Sequence, residues 1–260
     1  MGIVNVTPDS FSDGNAHFQA GEAVAHARLL VEEGADLLDI GGESTRPGAQ
    51  AVPADEELRR ILPVIESLRD CGVPLSVDTC KPVVMRAVLE AGADMINDIG
   101  GFSAPGAVEA VADTGCALCL MHMRGEPRTM QDAPFYQDVV AEVHDYLDQG
   151  ARRLRQAGVA ADRIVLDPGF GFGKTAEHNY TLLRRLPQAV GRDYPSLLGL
   201  SRKSMIGAVT GRPASRRLGG SVAAALAGAM RGAHILRVHD VADTVDALRV
   251  WSAVEQGVRA

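Results

Sequence analysis

The chain has 260 residues, a formal net charge of -7, 46% hydrophobic residues and 23% charged residues. The length is ample for a large buried core and matches one α/β barrel of roughly 250 residues, and no apolar stretch of about 18 residues is present to span a membrane. An acidic balance with no Lys/Arg-rich block argues against nucleic acid as the main partner, although a local cation cluster can still hold a small anion. Cys71, Cys80, Cys116 and Cys119 are too sparse for a disulfide framework. The opening Met1-Gly2-Ile3-Val4-Asn5 is not a basic and then apolar leader, so a reducing cytoplasm is the expected location.

Eight short apolar runs recur in order: Ile3 to Val6, Leu37 to Ile40, Leu75 to Val77, Met95 to Ile96, Ala117 to Met121, Ile164 to Leu166, Leu197 to Leu200 and Ile235 to Val238. Asn5, Asp39, Asp78, Asn97, His122, Asp167, Ser201 and His239 lie in or just beyond them. Helical periodicity fills the spaces, most plainly over Ala20 to Glu33, Asp55 to Arg69, Pro82 to Ala91 and Asp138 to Gln156. Pro82 suits a first helical turn, and Gly34, Gly92 and Gly158 sit where glycine ends a helix. Gly219 to Met230 is so rich in Gly and Ala that it predicts a helix packed closely on the sheet or on a partner subunit. The pattern predicts one (β/α)8 TIM barrel over residues 1–260, which collects strand-end side chains at one mouth. Three strand-to-helix connections are long, Thr7 to Gln19, Gly41 to Pro53 and Met123 to Pro134; the first two follow strands one and two, as binding loops would.

Cys116 and Cys119 form a C-x-x-C, but within a strand residues three apart point to opposite faces, so both read as core. The segment Asp167-Pro168-Gly169-Phe170-Gly171-Phe172-Gly173-Lys174-Thr175 ends like a P-loop. Pro168 stands where the first P-loop glycine belongs, and Lys174 where a dinucleotide fingerprint needs its third glycine, so neither nucleotide site is specified. A flexible turn headed by Asp167 is what remains.

Asp39, Asp78, Asn97 and Asp167 would converge at the mouth, where buried carboxylates are costly unless paired. Lys203 is the expected counter-charge. A ligand with several ring N–H donors and acceptors satisfies this set, and a bicyclic heteroaromatic such as a pterin fits. Arg237 and His239 share one side of the last strand and make a two-pronged anion site, the alternative being a salt bridge from Arg237 to a strand-end carboxylate. Asn5 adds an oxygen ligand for the Mg2+ that accompanies a diphosphate. The second loop, Gly42-Glu43-Ser44-Thr45-Arg46-Pro47-Gly48, offers a hydroxyl and a guanidinium, and the first exposes Phe11 beside Asp9 and Asp13.

Residues 5–14, 39–48, 76–79, 97–99, 167–174, 201–204 and 237–239 together resemble the motifs of bacterial dihydropteroate synthases, in the right order from the first residues to the last strand. The resemblance implies condensation of 6-hydroxymethyl-7,8-dihydropterin diphosphate with p-aminobenzoate to 7,8-dihydropteroate and diphosphate. It implies that Asp78, Asn97, Asp167 and Lys203 hydrogen-bond the pterin, that Arg237 stacks on it, and that Met121 and Phe172 line the slot. It assigns diphosphate and Mg2+ to Asn5, Arg237 and His239, and the p-aminobenzoate side to Phe11, Thr45, Arg46, Pro47, Lys203 and Ser204. A homodimer and sensitivity to sulfonamides as p-aminobenzoate mimics also follow from it. Asp39 receives no role.

Two departures from the family pattern are visible. Members carry a short hairpin before this first strand, so either the start lies upstream or the barrel bottom is less covered. Asn15-Ala16 follows Gly14 where another glycine is common, which bears on the first loop. Two other readings compete: a catalytically silent pterin-binding paralogue, expected to show a broken motif, and a methyltetrahydrofolate-dependent methyltransferase barrel, which would not need the Ser-Thr-Arg-Pro loop, the Ser201-Arg202-Lys203-Ser204 segment and a diphosphate clamp together.

Overall fold

The structure, a computed structural model, describes residues 1–6, 16–44, 49–125 and 129–258. Strands and helices alternate along it: β1 (Gly2–Asn5), α1 (Ala16–Glu32), β2 (Leu38–Gly41), α2 (Ala54–Leu68), β3 (Leu75–Asp78), α3 (Pro82–Glu90), β4 (Met95–Asp98), α4 (Ala107–Val111) and β5 (Ala117–Met121). There follow α5 (Val139–Gln156), β6 (Ile164–Asp167), α6 (Ala176–Arg184), α7 (Leu186–Val190), β7 (Leu197–Leu198), α8 (Ser204–Thr210), α9 (Leu218–Ala229), β8 (Ile235–Leu236) and α10 (Val241–Gln256).

Strands β1 to β6 form one parallel sheet in sequence order, and β7 pairs in parallel with β8. Single bridges join Leu166 to Ser196 and Gly2 to Val238, linking the two sheets at both edges and closing the TIM barrel. The last two strands are shorter than their apolar runs. Beyond them the chain pairs through separate bonds, such as Arg237 N–H to Leu198 O at 2.9 Å, rather than through a continuous ladder.

The helices form where the periodicity places them, except that α1 begins at Ala16, inside the stretch Thr7 to Gln19 expected as the first long loop. In α2, Glu57, Ile61, Val64, Ile65 and Leu68 make one buried stripe, and Asp55, Glu56 and Glu57 put negative charge in its first turn, where the helix dipole favours it. Asp138 caps α5 by accepting from the N–H groups of Val140 and Ala141 at 2.9 and 3.2 Å. Gly34, Gly92 and Gly158 end three helices in left-handed backbone. The small residues of α9 allow close approach as expected: a Cβ on Gly228 would lie 2.8 Å from Leu198 of β7.

Inside the barrel, Met95, Cys119, Val165 and Leu197 make an apolar cluster, with Met1, Leu37, Ala117 and Ile235 against it. Cys116 belongs instead to the main core between sheet and helices, so the two cysteines do take opposite faces. The lower barrel is therefore filled with apolar side chains. Polar groups occupy the end toward which all the strands run.

Candidate active site

Register decides how deep each polar side chain sits. Asp78 ends β3 level with Gly41 of β2 and Asn97 of β4, while Asp39 lies one inward-facing position deeper, level with Ile3 and Ser76. Asp39, Ser76, Asp78, Asn97 and Asp167 are all buried.

Arg237 ties the two levels together. Its Nε donates to Asp39 Oδ2 at 2.5 Å and its Nη2 to Asp78 Oδ2 at 3.2 Å. Asp39 also accepts from Ser76 Oγ at 2.6 Å and Asn97 Nδ2 at 3.2 Å. The sequence offers Lys203 as counter-charge to the strand-end carboxylates, with a salt bridge from Arg237 as the alternative; the structure divides the task, Arg237 pairing with Asp39 and Asp78 through its planar fork and Lys203 acting on Asp167. Asp39 thus has a role after all, as the anchor of Arg237. The Oδ1 of Asn97 is buried with no hydrogen-bond partner among the described residues. A buried acceptor left in that state awaits a donor.

A second group surrounds the turn after β6. Lys203 Nζ donates to the carbonyl of Phe170 and stands 4.4 Å from the centroid of the Phe172 ring. Asp167 accepts the Gly169 N–H at 2.7 Å and is level with buried Met121 across the β5–β6 pair. A Cβ on Gly199 would lie 3.8 Å from Lys203 Nζ and 4.0 Å from Arg237 Cδ, so the two cations flank that one glycine. The expectation of a flexible turn fails. Gly169 has φ +68°, and a Cβ there would lie 1.8 Å from the His122 carbonyl oxygen, so backbone packs directly on backbone. Gly171 N–H is held by Asn179 Oδ1 at 2.8 Å, and Tyr136 donates its hydroxyl to Gly173 O at 2.9 Å.

This crowding tunes the titrating groups. Burial pushes Asp78 up to about 7; Arg237 pulls it down and Asp39 adds to the rise. Burial also raises Asp167, against the pull of Lys203. Lys203 is lowered to about 8 by burial, with Asp167 resisting. Burial disfavours the Arg237 cation, yet Asp39 and Asp78 outweigh it and hold its pKa above the ordinary value.

Asp78, Asn97, Met121, Asp167, Phe172, Lys203 and Arg237 therefore lie around one end of the barrel. Asn5 is half-buried at the end of β1, and Ser204 is exposed at the first residue of α8. Ser201 Oγ accepts the His239 backbone N–H at 3.2 Å and lies 3.0 Å from Nδ1 of the ring; it can donate its own proton there, which favours the tautomer with N–H at Nε2. Phe11, Thr45, Arg46 and Pro47 lie outside the described residues. Ser76 and Lys174 lie within the motifs at 76–79 and 167–174 but receive no role from the sequence; the structure makes both part of the site's frame. Lys81 was not foreseen: its amine bridges Glu43 and Glu57 at the base of the second loop. A cavity of about 440 Å³ opens near the opposite, N-terminal ends of β4 and β5, lined by Arg86, Glu90, Asp94, Thr114 and Cys116 among others. It has no share in these contacts.

Comparison with known proteins agrees with this arrangement. Residues 1–239 match the family described as pterin binding enzyme. The chain is 54% identical to the dihydropteroate synthase of Escherichia coli (strain K12) over 254 residues, which covers 97% of this chain and 90% of that protein. It is similar to the crystal structure of Xanthomonas albilineans dihydropteroate synthase with 4-aminobenzoic acid, with a TM-score of 0.93, 57% identity and 98% and 92% of the two chains covered. It is likewise similar to Burkholderia cenocepacia dihydropteroate synthase complexed with 7,8-dihydropteroate, with a TM-score of 0.90, 57% identity and coverage of 98% and 90%. With the polar barrel mouth, these matches show that the chain belongs to the pterin binding enzyme family, among its dihydropteroate synthases.

Proposed function

We infer that the chain condenses 6-hydroxymethyl-7,8-dihydropterin diphosphate with p-aminobenzoate, giving 7,8-dihydropteroate and diphosphate. The observation that carries this reading is the buried set of acceptors Asp78, Asn97 Oδ1 and Asp167, joined by two cations at one barrel mouth. A flat heterocycle with several N–H groups supplies the donor that Asn97 Oδ1 lacks and further donors to the carboxylates of Asp78 and Asp167, which accept only one bond each from Arg237 and the Gly169 N–H. Asp78, Asn97, Asp167 and Lys203 bond the pterin ring, Met121 and Phe172 line its slot, and Arg237 lays its guanidinium face on the ring. With Nε and Nη2 committed to Asp39 and Asp78, the face of Arg237 is held in a fixed plane. Arg237 and His239 bind the diphosphate; Lys203, Ser204, Phe11, Thr45, Arg46 and Pro47 form the p-aminobenzoate side.

Loss of diphosphate leaves positive charge on the pterin methylene, and the fixed carboxylate of Asp78 favours that charge as it develops. The aromatic amine is neutral near pH 7 and already nucleophilic. Positioning, rather than a strong base, is what the chain must provide. Among the described residues no three His, Cys, Asp or Glu side chains converge as metal ligands. A single amide oxygen on Asn5 suits a Mg2+ that keeps its waters and arrives on the diphosphate. When bound, Mg2+ would neutralise negative charge on the leaving group.

The whole of residues 1–260 acts as one domain, supported by a main core that runs from β1 to α10. The exposed Leu218, Met230, Val250 and Val254, on or next to the adjacent helices α9 and α10, favour a homodimer; sedimentation at the 27.5 kDa of a single chain would remove that proposal. Four free cysteines fit a reducing cytoplasm, and no helix among the described residues is long and apolar enough to cross a membrane.

The test is diphosphate release from the pterin diphosphate with and without p-aminobenzoate, in Mg2+ and after chelation. Release should require both p-aminobenzoate and Mg2+. Release indifferent to p-aminobenzoate would sink the reading, as would a silent binder's complete lack of turnover. Across pH, kcat/KM for the pterin diphosphate should fall below about 7, as Asp78 takes a proton, and above about 8, as Lys203 loses one. Because these groups interact, the two limbs belong to the cluster. A flat profile from pH 5 to about 9 would remove Asp78 and Lys203 from ring recognition.

A further inference from the structure

Lys174 closes the glycine-rich segment after β6, and the reaction makes no direct use of it. Its side chain is 3% exposed. An ammonium carries three donors and no acceptor, and burying it requires all three to be met. Three acceptors lie close to it, His122 Nδ1 at 2.8 Å, Gly169 O at 2.8 Å and Phe172 O at 3.0 Å, with a fourth, His122 O, at a longer 3.5 Å. Burial lowers the Lys174 pKa, but the acceptor count matches the protonated head. Burial and the nearby Lys174 charge press His122 down to about 2, so its ring is neutral and Nδ1 can accept.

The three acceptors come from two segments. His122 directly follows β5, where its backbone N–H also donates to Asp167 O at 2.9 Å. Gly169 and Phe172 belong to the turn itself. That turn holds other groups in place: Phe170 O receives Lys203 Nζ, the Phe172 ring lies under the same ammonium, and Gly169 N–H fixes Asp167. Three glycines in left-handed backbone, at 169, 171 and 173, leave such a segment many alternatives when nothing ties it down. A buried cation drawing two of its carbonyls onto β5 removes those alternatives.

We propose that Lys174 is a positioning residue for the pterin half of the site: its ammonium fixes residues 169–172 against His122, and so sets Phe172 and Asp167, which serve the pterin alone, at the spacing the ring requires. This rests on the function proposed above. It touches no substrate, so its effect should be lopsided between the two substrates. A general structural role would lower stability without favouring either one.

The experiment measures binding of 6-hydroxymethyl-7,8-dihydropterin diphosphate by calorimetry, and KM for p-aminobenzoate at saturating pterin diphosphate. Lys174→Met keeps the unbranched stem and removes the head. It should weaken pterin diphosphate binding by about tenfold or more while KM for p-aminobenzoate moves less than about twofold. His122→Gln offers an amide oxygen in place of Nδ1 and should bind nearly as the unsubstituted chain does, whereas His122→Leu, which keeps the backbone carbonyl contacts, should fall between. These His122 variants decide the matter if Lys174→Met does not fold. The proposal is overturned if folded Lys174→Met binds the pterin diphosphate as the unsubstituted chain does, if both substrates weaken equally, or if His122→Leu and His122→Gln bind alike. If the unsubstituted chain does not bind the pterin diphosphate, the functional reading itself falls and takes this inference with it.

Discussion

Asp78→Asn should lower kcat by about 10²- to 10³-fold, the usual loss when one preorganised electrostatic group is removed from a reacting centre, while the melting temperature stays level or rises. The two halves of this expectation have one cause. Burial raises the Asp78 carboxyl to about 7, from an ordinary value near 3.8, even with Arg237 beside it. Its charged form is therefore held at a cost, and an amide of the same shape escapes that cost. Between pH 4 and pH 7 the folded chain holds a proton that the unfolded chain has released, so Asp78 favours folding at the acid end and loses that contribution as pH rises through about 7. Comparing melting at pH 5 and pH 8, the unsubstituted chain should show this loss and Asp78→Asn should not. Near-normal diphosphate release by the variant would remove Asp78 from the mechanism.

Arg237→Met should be damaging in both respects. It removes the fork that pairs Asp39 and Asp78 and leaves both carboxylates without their hydrogen-bonded cation. Breaking a buried pair by deleting one partner costs roughly 3–5 kcal/mol, which for a chain of this size lowers Tm by roughly 6–20 °C. Activity should fall by about 10³-fold or more, because ring stacking, the diphosphate contact and the orientation of Asp78 go together. Adding Asp39→Asn separates the effects. The double variant should recover part of the lost stability and none of the activity, a coupling that a thermodynamic cycle measures directly. If Arg237→Met melts like the unsubstituted chain, the two-carboxylate brace has been overrated.

The barrel was legible in the sequence because its signals are local. Runs of two to five mostly apolar residues with Asp, Asn, His or Ser in or just beyond them mark strands and their ends, and the helices between them follow their own period. The same signals do not carry depth. Asp39 looked like a strand-end residue equivalent to Asp78, but hydrogen-bond register sets it a full inward-facing position lower, where it can hold Arg237. Dividing the counter-charge task between Arg237 and Lys203 was likewise beyond a linear reading: Arg237 meets its partners across 198 and 159 residues of chain. Lys174 was legible only as a failed P-loop. Its signal was a lysine ending a glycine run, whose backbone carbonyls stand open to an ammonium. The assignment of Phe11, Thr45, Arg46 and Pro47 rests on resemblance alone.

The barrel does not close with equal strength all the way round. Strands β1 to β6 share continuous ladders, but the β7–β8 pair is joined to them by one bridge at each side. Lys203 and Arg237 both follow from this lightly fastened sector, while Asp78, Asn97 and Asp167 belong to the continuous six. Arg237 reaching across to Asp39 and Asp78 is thus a strut between the two parts, and a ligand gripped from both sides adds a second. Occupancy and closure then share one equilibrium, so a bound pterin should slow amide exchange in β7 and β8 more than in β3 or β4.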